Sequence, residues 1–188
     1  MWFRPKYYYE NKLAKKRIKG GALVIANHIN MIDPVVLHCK LWYRNFHIVA
    51  MKELFETKMK KWFFTNVLCL PIDRENMTIR SLKEMIQLLK EQKIVGIFPE
   101  GHINNGENNV DAFKSGAVLM ATQANVPIAP IALIKREKWY NRQTVVVGEP
   151  IQIKDGRLTL QEINQISEQL HKKEIELIKI YEERRKEK

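Results

Sequence analysis

Hydrophobic residues along the chain gather in two kinds of segment that take turns. Short, near-continuous apolar runs occur at Ala22–Ala26, Phe46–Met51, Cys69–Ile72, Ile94–Phe98, Ile128–Leu133 and Thr144–Val147. Runs of this length without polar alternation predict strands buried on both faces of a sheet. Longer stretches with helical spacing lie between them. Pro34 opens one that reaches Tyr43, and a second runs from Lys52 to Val67. A third, from Asn76 to Gln92, carries Ile79, Leu82, Met85, Ile86 and Leu89 on one stripe behind a capping Asn76. A fourth covers Ala112–Ala124. The last begins at a capping box, Thr159 with Glu162, and extends to Glu183 with Leu160, Ile163, Ile166, Leu170 and Leu177 on one side. Strands alternating with helices predict one α/β domain, with a mixed, mostly parallel central sheet flanked by helices.

At 188 residues and 45% hydrophobic side chains, the chain supports one core of ordinary size. Its expected organisation is a basic, aromatic segment over residues 1–19 that contacts a membrane, a core over 20–158, and a C-terminal amphipathic helix with a charged tail over 159–188. The formal charge of +11 is uneven: residues 1–74 hold 14 basic and 5 acidic side chains (+9), and residues 75–188 hold 18 and 16 (+2). Such a field suits an anionic partner, whether nucleic acid, an anionic membrane or a phosphorylated substrate. Cys39 and Cys69 form neither a disulfide framework nor a four-ligand zinc site; they suit a reducing compartment, and no metal is expected. No apolar run approaches the roughly 18–20 residues that cross a bilayer, so attachment to a membrane is expected to be peripheral or monotopic.

The chemistry-bearing residues cluster at predicted strand ends, where α/β folds place their sites. Asn27-His28 follows the first buried run, and Asp33-Pro34 begins the next helix. A turn between His28 and Asp33 brings carboxylate to imidazole, which fixes the tautomer and frees the other ring nitrogen to accept a proton. A helix N-terminus with Asp33 as cap and Pro34 at the first position explains the second half of this pattern but not Asn27-His28. Ile72-Asp73-Arg74 follows another strand, Phe98-Pro99-Glu100-Gly101 a third, and Val126-Pro127-Ile128-Ala129-Pro130 opens a fourth.

These four motifs, in this order over residues 20–150, resemble the glycerophospholipid acyltransferase family, and within it the 1-acylglycerol-3-phosphate (lysophosphatidate) acyltransferases. The resemblance implies an acyltransferase-like fold and transfer of a fatty acyl group from an acyl thioester, acyl-CoA or acyl carrier protein, to the free glycerol hydroxyl of 1-acyl-sn-glycerol 3-phosphate. It makes His28 the general base and Asp33 its orienting partner, with Asn27, Arg74, Glu100 and Gly101 around the acceptor and the Pro127 region forming the pocket wall or the acyl-donor side. No cofactor is implied beyond the donor. A guanidinium suits phosphate because it binds bidentately; the alternative for Arg74 is a surface ion pair with Asp73 or Glu75. The sequence departs from the family pattern after Gly101, continuing His102-Ile103-Asn104-Asn105 where a small residue and then Arg are usual, and Ser115 stands where a further Arg is frequent. Lys114 or His102 is the candidate replacement. A lysophospholipid with another headgroup is the alternative acceptor.

The stretch Lys52–Val67 places Phe55, Met59, Trp62 and Phe63 on one stripe among lysines. It reads either as an interfacial helix on anionic lipid or as a helix packed on the sheet. Trp2 and Phe3 in the basic N-terminus add to the first reading, which places the protein on the cytoplasmic face of a membrane. The competing functional class is a non-catalytic basic module for acidic membranes or nucleic acid. No zinc-finger, RNA-binding or Walker-type motif supports nucleic acid.

Overall fold

The computed structural model describes residues 4–66, 69–72, 79–104, 110–136, 138, 141–153, 156 and 158–187. Its strands are β1 (Lys6–Tyr9), β2 (Ala22–Ala26), β3 (Phe46–Met51), β4 (Cys69–Ile72), β5 (Ile94–Ile97), β6 (Ile128–Ile134) and β7 (Thr144–Val147). They form one seven-stranded sheet in the order β1-β7-β6-β2-β5-β3-β4. Strands β2 to β6 are mutually parallel, β7 runs antiparallel to β6, and β1 pairs parallel with β7. The mixed, mostly parallel α/β domain expected from the sequence is what forms.

Alternation along the strands sends side chains to two apolar layers. On one face Leu23, Ile25, Val95, Ile97 and Ile128 meet helices α3 (Ile79–Lys90), α4 (Gly116–Ala124) and α5 (Leu160–Lys186). Helix α3 contributes Met85, Ile86 and Leu89, and α4 contributes small residues that let it approach closely. On the other face Val24, Ala26, Ala129, Ile131 and Leu133 are covered by Val36, Leu37 and Leu41 of α1 (Asp33–Leu41). Strand β2 is wholly buried because both layers use it.

Three elements differ from the sequence expectation. Lys6–Tyr9, expected within a membrane-contacting segment, forms the edge strand β1, with Tyr7 and Tyr9 packed on the core and Tyr8 edge-on to Tyr181. Its aromatic run lacks alternation, so only pairing with a distant strand reveals it. The single helix expected over Lys52–Val67 is a 3-10 turn, Lys52–Phe55, followed by α2, Lys58–Asn66. The break takes Phe55 off the common stripe and packs it against Phe64, with ring centroids 5.6 Å apart, while Met59 and Trp62 stay exposed. Helix α4 starts at Gly116 rather than Ala112. Asn76, Asp73, Arg74, Trp2, Phe3 and the side chain of Phe63 lie outside the described residues.

Gly96 in β5 shows how tightly the sheet is covered: an added Cβ would lie 2.4 Å from the Phe46 ring. Phe46 is 1% exposed and has no room to retreat. Gly96→Ala should therefore destabilise the fold by about 1–3 kcal/mol through overpacking, and Phe46→Leu in the same chain should recover part of it. Urea unfolding of the single and double variants reads both effects.

Candidate active site

The parallel strands β2, β5 and β6 end at the same edge of the sheet, and the residues that follow them converge there. The chain leaving β2 has a difficulty to solve. Residues 27–30 have left the ladder with Asn27 buried, His28 and Ile29 half-buried and Asn30 exposed, and a covered backbone N–H must find an acceptor. Four successive N–H groups each find a carboxylate. Asn27 donates to Glu174 Oε1 at 2.7 Å, His28 to Glu100 Oε1 at 3.1 Å, and Ile29 and Asn30 both to Asp33 Oδ2 at 2.7 Å. All three acids are buried, with exposures of 0%, 3% and 0%.

Asp33 is the first residue of α1, and Ile32 rather than Asp33 occupies the cap position. Instead of capping its own helix, the Asp33 carboxylate reaches back over the turn. Its Oδ2 also meets His28 Nδ1 at 3.0 Å. A carboxylate oxygen accepts, so the imidazole presents Nδ1–H to Asp33 and keeps Nε2 as the lone-pair nitrogen. The ring lies flat on Phe98, centroids 4.0 Å apart at 13°, which fixes its second degree of freedom. Among the described residues the imidazole hydrogen-bonds to Asp33 alone. The base expected at His28 and the partner expected at Asp33 are in contact.

Asn27 does not face a ligand. Its side chain accepts from the Leu133 N–H at 2.7 Å and donates to the Leu133 carbonyl at 2.9 Å, so an amide side chain continues the β2–β6 pairing beyond Ala26. Glu100 is likewise turned inward: its Oε1 holds His28 N–H and its Oε2 accepts from Asp111 N–H at 3.3 Å. Burial raises its pKa, opposed by those backbone donors and by the Asn104 side chain. Both side chains are engaged by the protein's own backbone. Gly101 and Lys114 do form a surface beside the base. Gly101 takes φ +77°, and its missing Cβ leaves the place where Lys114 Nζ lies, 2.9 Å from where that Cβ would be. His102, the other candidate cation, is held by Asp111, with Nε2 2.8 Å from Oδ2. Cys69 is buried, which pushes its thiol up to about 12 and keeps it protonated.

Glu174 is the residue that sequence reasoning passed over. It stands between Leu170 and Leu177 on the apolar stripe of α5, and an acid at a stripe position is the signal that identifies it. Complete burial drives its pKa well above the ordinary 4.5, with the nearby Glu100 charge adding to the rise. Its Oε1 accepts from the Asn27 N–H.

Comparison with known proteins now has a geometry to attach to. The family model described as Acyltransferase matches residues 4–134, and the chain belongs to that family. This decides for the enzyme over the non-catalytic basic module. The chain is 32% identical over 141 residues to the 1-acyl-sn-glycerol-3-phosphate acyltransferase of Bacillus subtilis, covering 70% of this chain and 67% of that protein. It is 32% identical over 143 residues to the enzyme of the same name from Streptococcus pneumoniae, covering 71% of this chain and 51% of that one. It thus spans between half and two thirds of these relatives. The crystal structure of the 1-acyl-sn-glycerophosphate acyltransferase from Thermotoga maritima matches at a TM-score of 0.66 and 22% identity, over 93% of this chain and 73% of that one, a likeness of fold. The matched family region ends before α5, so Glu174 and its contact with Asn27 lie outside it.

Glu174→Gln keeps a carbonyl acceptor for Asn27 N–H and should retain activity. Glu174→Leu leaves that amide unpaired at a cost of about 1–3 kcal/mol and should lower kcat as His28 loses its fixed position. The pH response follows from the raised pKa. Below pH 4.5 folded and unfolded chains both carry the proton; above it only the folded chain must hold it, so stability falls as pH rises through the elevated value. Urea unfolding across pH 5–9 should show a shallower decline for Glu174→Gln, with Glu100 supplying what remains.

Proposed function

We propose that the chain acylates the free glycerol hydroxyl of 1-acyl-sn-glycerol 3-phosphate, using an acyl thioester of CoA or of acyl carrier protein and giving phosphatidic acid. The observation that carries this reading is the oriented pair His28–Asp33, whose imidazole has Nε2 to offer and, among the described residues, no serine or cysteine hydrogen-bonded to it. A base without its own nucleophile suits a substrate hydroxyl as the attacking group. His28 Nε2 takes the hydroxyl proton as the oxygen adds to the thioester carbonyl. The tetrahedral intermediate then collapses, the C–S bond breaks, and the imidazolium returns the proton to the departing sulfur. Asp33 stabilises the imidazolium between these events. The names of the Bacillus and Streptococcus relatives support the acceptor, and Lys114 beside Gly101 supplies a cation for its phosphate. Arg74, outside the described residues, is proposed as a second.

We place this reaction at an anionic membrane on the cytoplasmic side, where acyl thioesters are made. No described helix is long and apolar enough to cross a membrane. Met31 in the turn carrying the base is 73% exposed, and Met59 and Trp62 of α2, which begins at the same sheet edge, are 79% and 69% exposed. Exposed apolar side chains gathered around a site for amphiphiles suit entry into the lipid interface.

His28→Ala should lower turnover with lysophosphatidate by about 10²–10⁴-fold while the far-ultraviolet circular dichroism is unchanged, and Cys69→Ser should stay near the parent rate. Near-normal phosphatidic acid formation by His28→Ala would remove the assignment. Separately, Met59→Ser/Trp62→Ser should co-sediment less with phosphatidylglycerol vesicles, and high salt should release a further fraction through screening. Unchanged sedimentation of this double variant would exclude α2 from the interface.

A further inference from the structure

The strongest concentration of positive charge near the site is absent from the motifs. Beyond β6, on the edge that carries His28, a concavity of about 350 Å³ is lined by Lys6, Lys135, Arg136, Arg142 and Arg185, with Glu182 as the one carboxylate of the described lining. Register fixes where it lies. Ala26 pairs with Ile131, Ile134 pairs with Thr144, and Thr144 pairs with Lys6. The cations at the starts of β1 and β7 and the end of β6 therefore stand at the same end of the sheet as the residues leaving β2. Arg142 donates to the Arg4 and Pro5 carbonyls and ties the wall together.

Its distance from the base follows from two independent rulers. Three strand steps separate β1 from β2, about 14 Å at the usual spacing. Along α5, Glu174 touches Asn27 while Arg185 lines the concavity, and eleven residues of helix span about 16 Å. The acceptor's own phosphate cannot bridge this gap, because four covalent bonds separate it from the reacting hydroxyl, about 5 Å at full stretch. In the donor, thirteen bonds of the pantetheine arm separate the thioester sulfur from the first phosphorus, about 16 Å extended. A walled concavity also presents its charges poorly to a flat bilayer.

On the acyl-transfer reading given above, we propose that this concavity holds the phosphate end of a phosphopantetheine thioester, whether the arm belongs to CoA or to a carrier protein. Lys6, Lys135, Arg136 and Arg185 neutralise the phosphate, while the arm runs along the ends of β7 and β6 to place the thioester carbonyl at His28. The site then holds its two phosphates on opposite sides of the base, the acceptor's by Lys114 and the donor's beyond β6.

The test compares the parent chain with Lys135→Gln/Arg185→Gln, two exposed positions whose replacement leaves the Arg142 tie intact. Donors are acyl-CoA, acyl carrier protein and acyl-pantetheine, which has the same thioester and no phosphate. KM for a phosphorylated donor should rise about tenfold or more in the variant. KM for acyl-pantetheine should be the same in both chains, and so should KM for lysophosphatidate. The arm that loses affinity identifies the donor as CoA or carrier protein. An unchanged KM for both phosphorylated donors overturns the proposal, and so does an equal loss with acyl-pantetheine. A loss confined to lysophosphatidate, or to binding of anionic vesicles, overturns it in favour of the acceptor or the membrane. Calorimetric binding of CoA and of phosphopantetheine needs no acceptor. Binding by the parent that is lost in the variant supports the concavity even if no acyl transfer to lysophosphatidate is found, and binding by neither chain counts against it.

Discussion

Four consecutive amide groups, from buried Asn27 through half-buried His28 and Ile29 to exposed Asn30, leave the ladder at the end of β2, and the candidate site is arranged around satisfying them. An unpaired buried donor costs about as much as a tenth or more of the stability of a small domain. Three acids drawn from three different elements meet that demand: Asp33 from α1, Glu100 from the loop after β5, and Glu174 from α5. The catalytic geometry is a by-product of the same bonds. The oxygen of Asp33 that closes the turn is the oxygen that meets His28, so the base is oriented by a contact the fold already requires.

Gathering three carboxylates in so small a volume has an electrostatic consequence. They cannot all remain charged, and their environments separate them. Asp33 has two backbone donors and the imidazole on one oxygen, Glu100 has one backbone donor on each, and Glu174 has a single donor in all; the second oxygens of Asp33 and Glu174 are unpartnered among the described residues. The group with the poorest solvation is the one pushed furthest toward its neutral form.

The sheet and the dyad were legible because their signals are local. Six buried runs, the His28–Asp33 spacing and the Thr159–Glu162 capping box are properties of neighbouring residues, and α5 begins at that box. What was not legible depends on partners far along the chain. Strand β1 is a strand only because β7 accepts it. The inward turn of Asn27 needs Leu133, and that of Glu100 needs His28 and Asp111. Charge counting failed in the same way: it put the excess in residues 1–74, yet four of the five cations lining the concavity come from the nearly balanced remainder, brought together by folding. Phe55 shows the converse, a local stripe undone because the chain breaks its helix to reach the core.

The contact between Asn27 and Glu174 spans 147 positions of sequence, which gives the protein a history as well as a shape. During synthesis the strand that leads into His28 is made well before the acid that accepts from the Asn27 amide. The Lys173–Glu10 ion pair, over a still longer separation, waits for the same helix. A nascent chain therefore carries the His28–Asp33 pair through the synthesis of β3 to β7 before α5 supplies the brace. The bracing of Asn27 thus waits until α5 has been made.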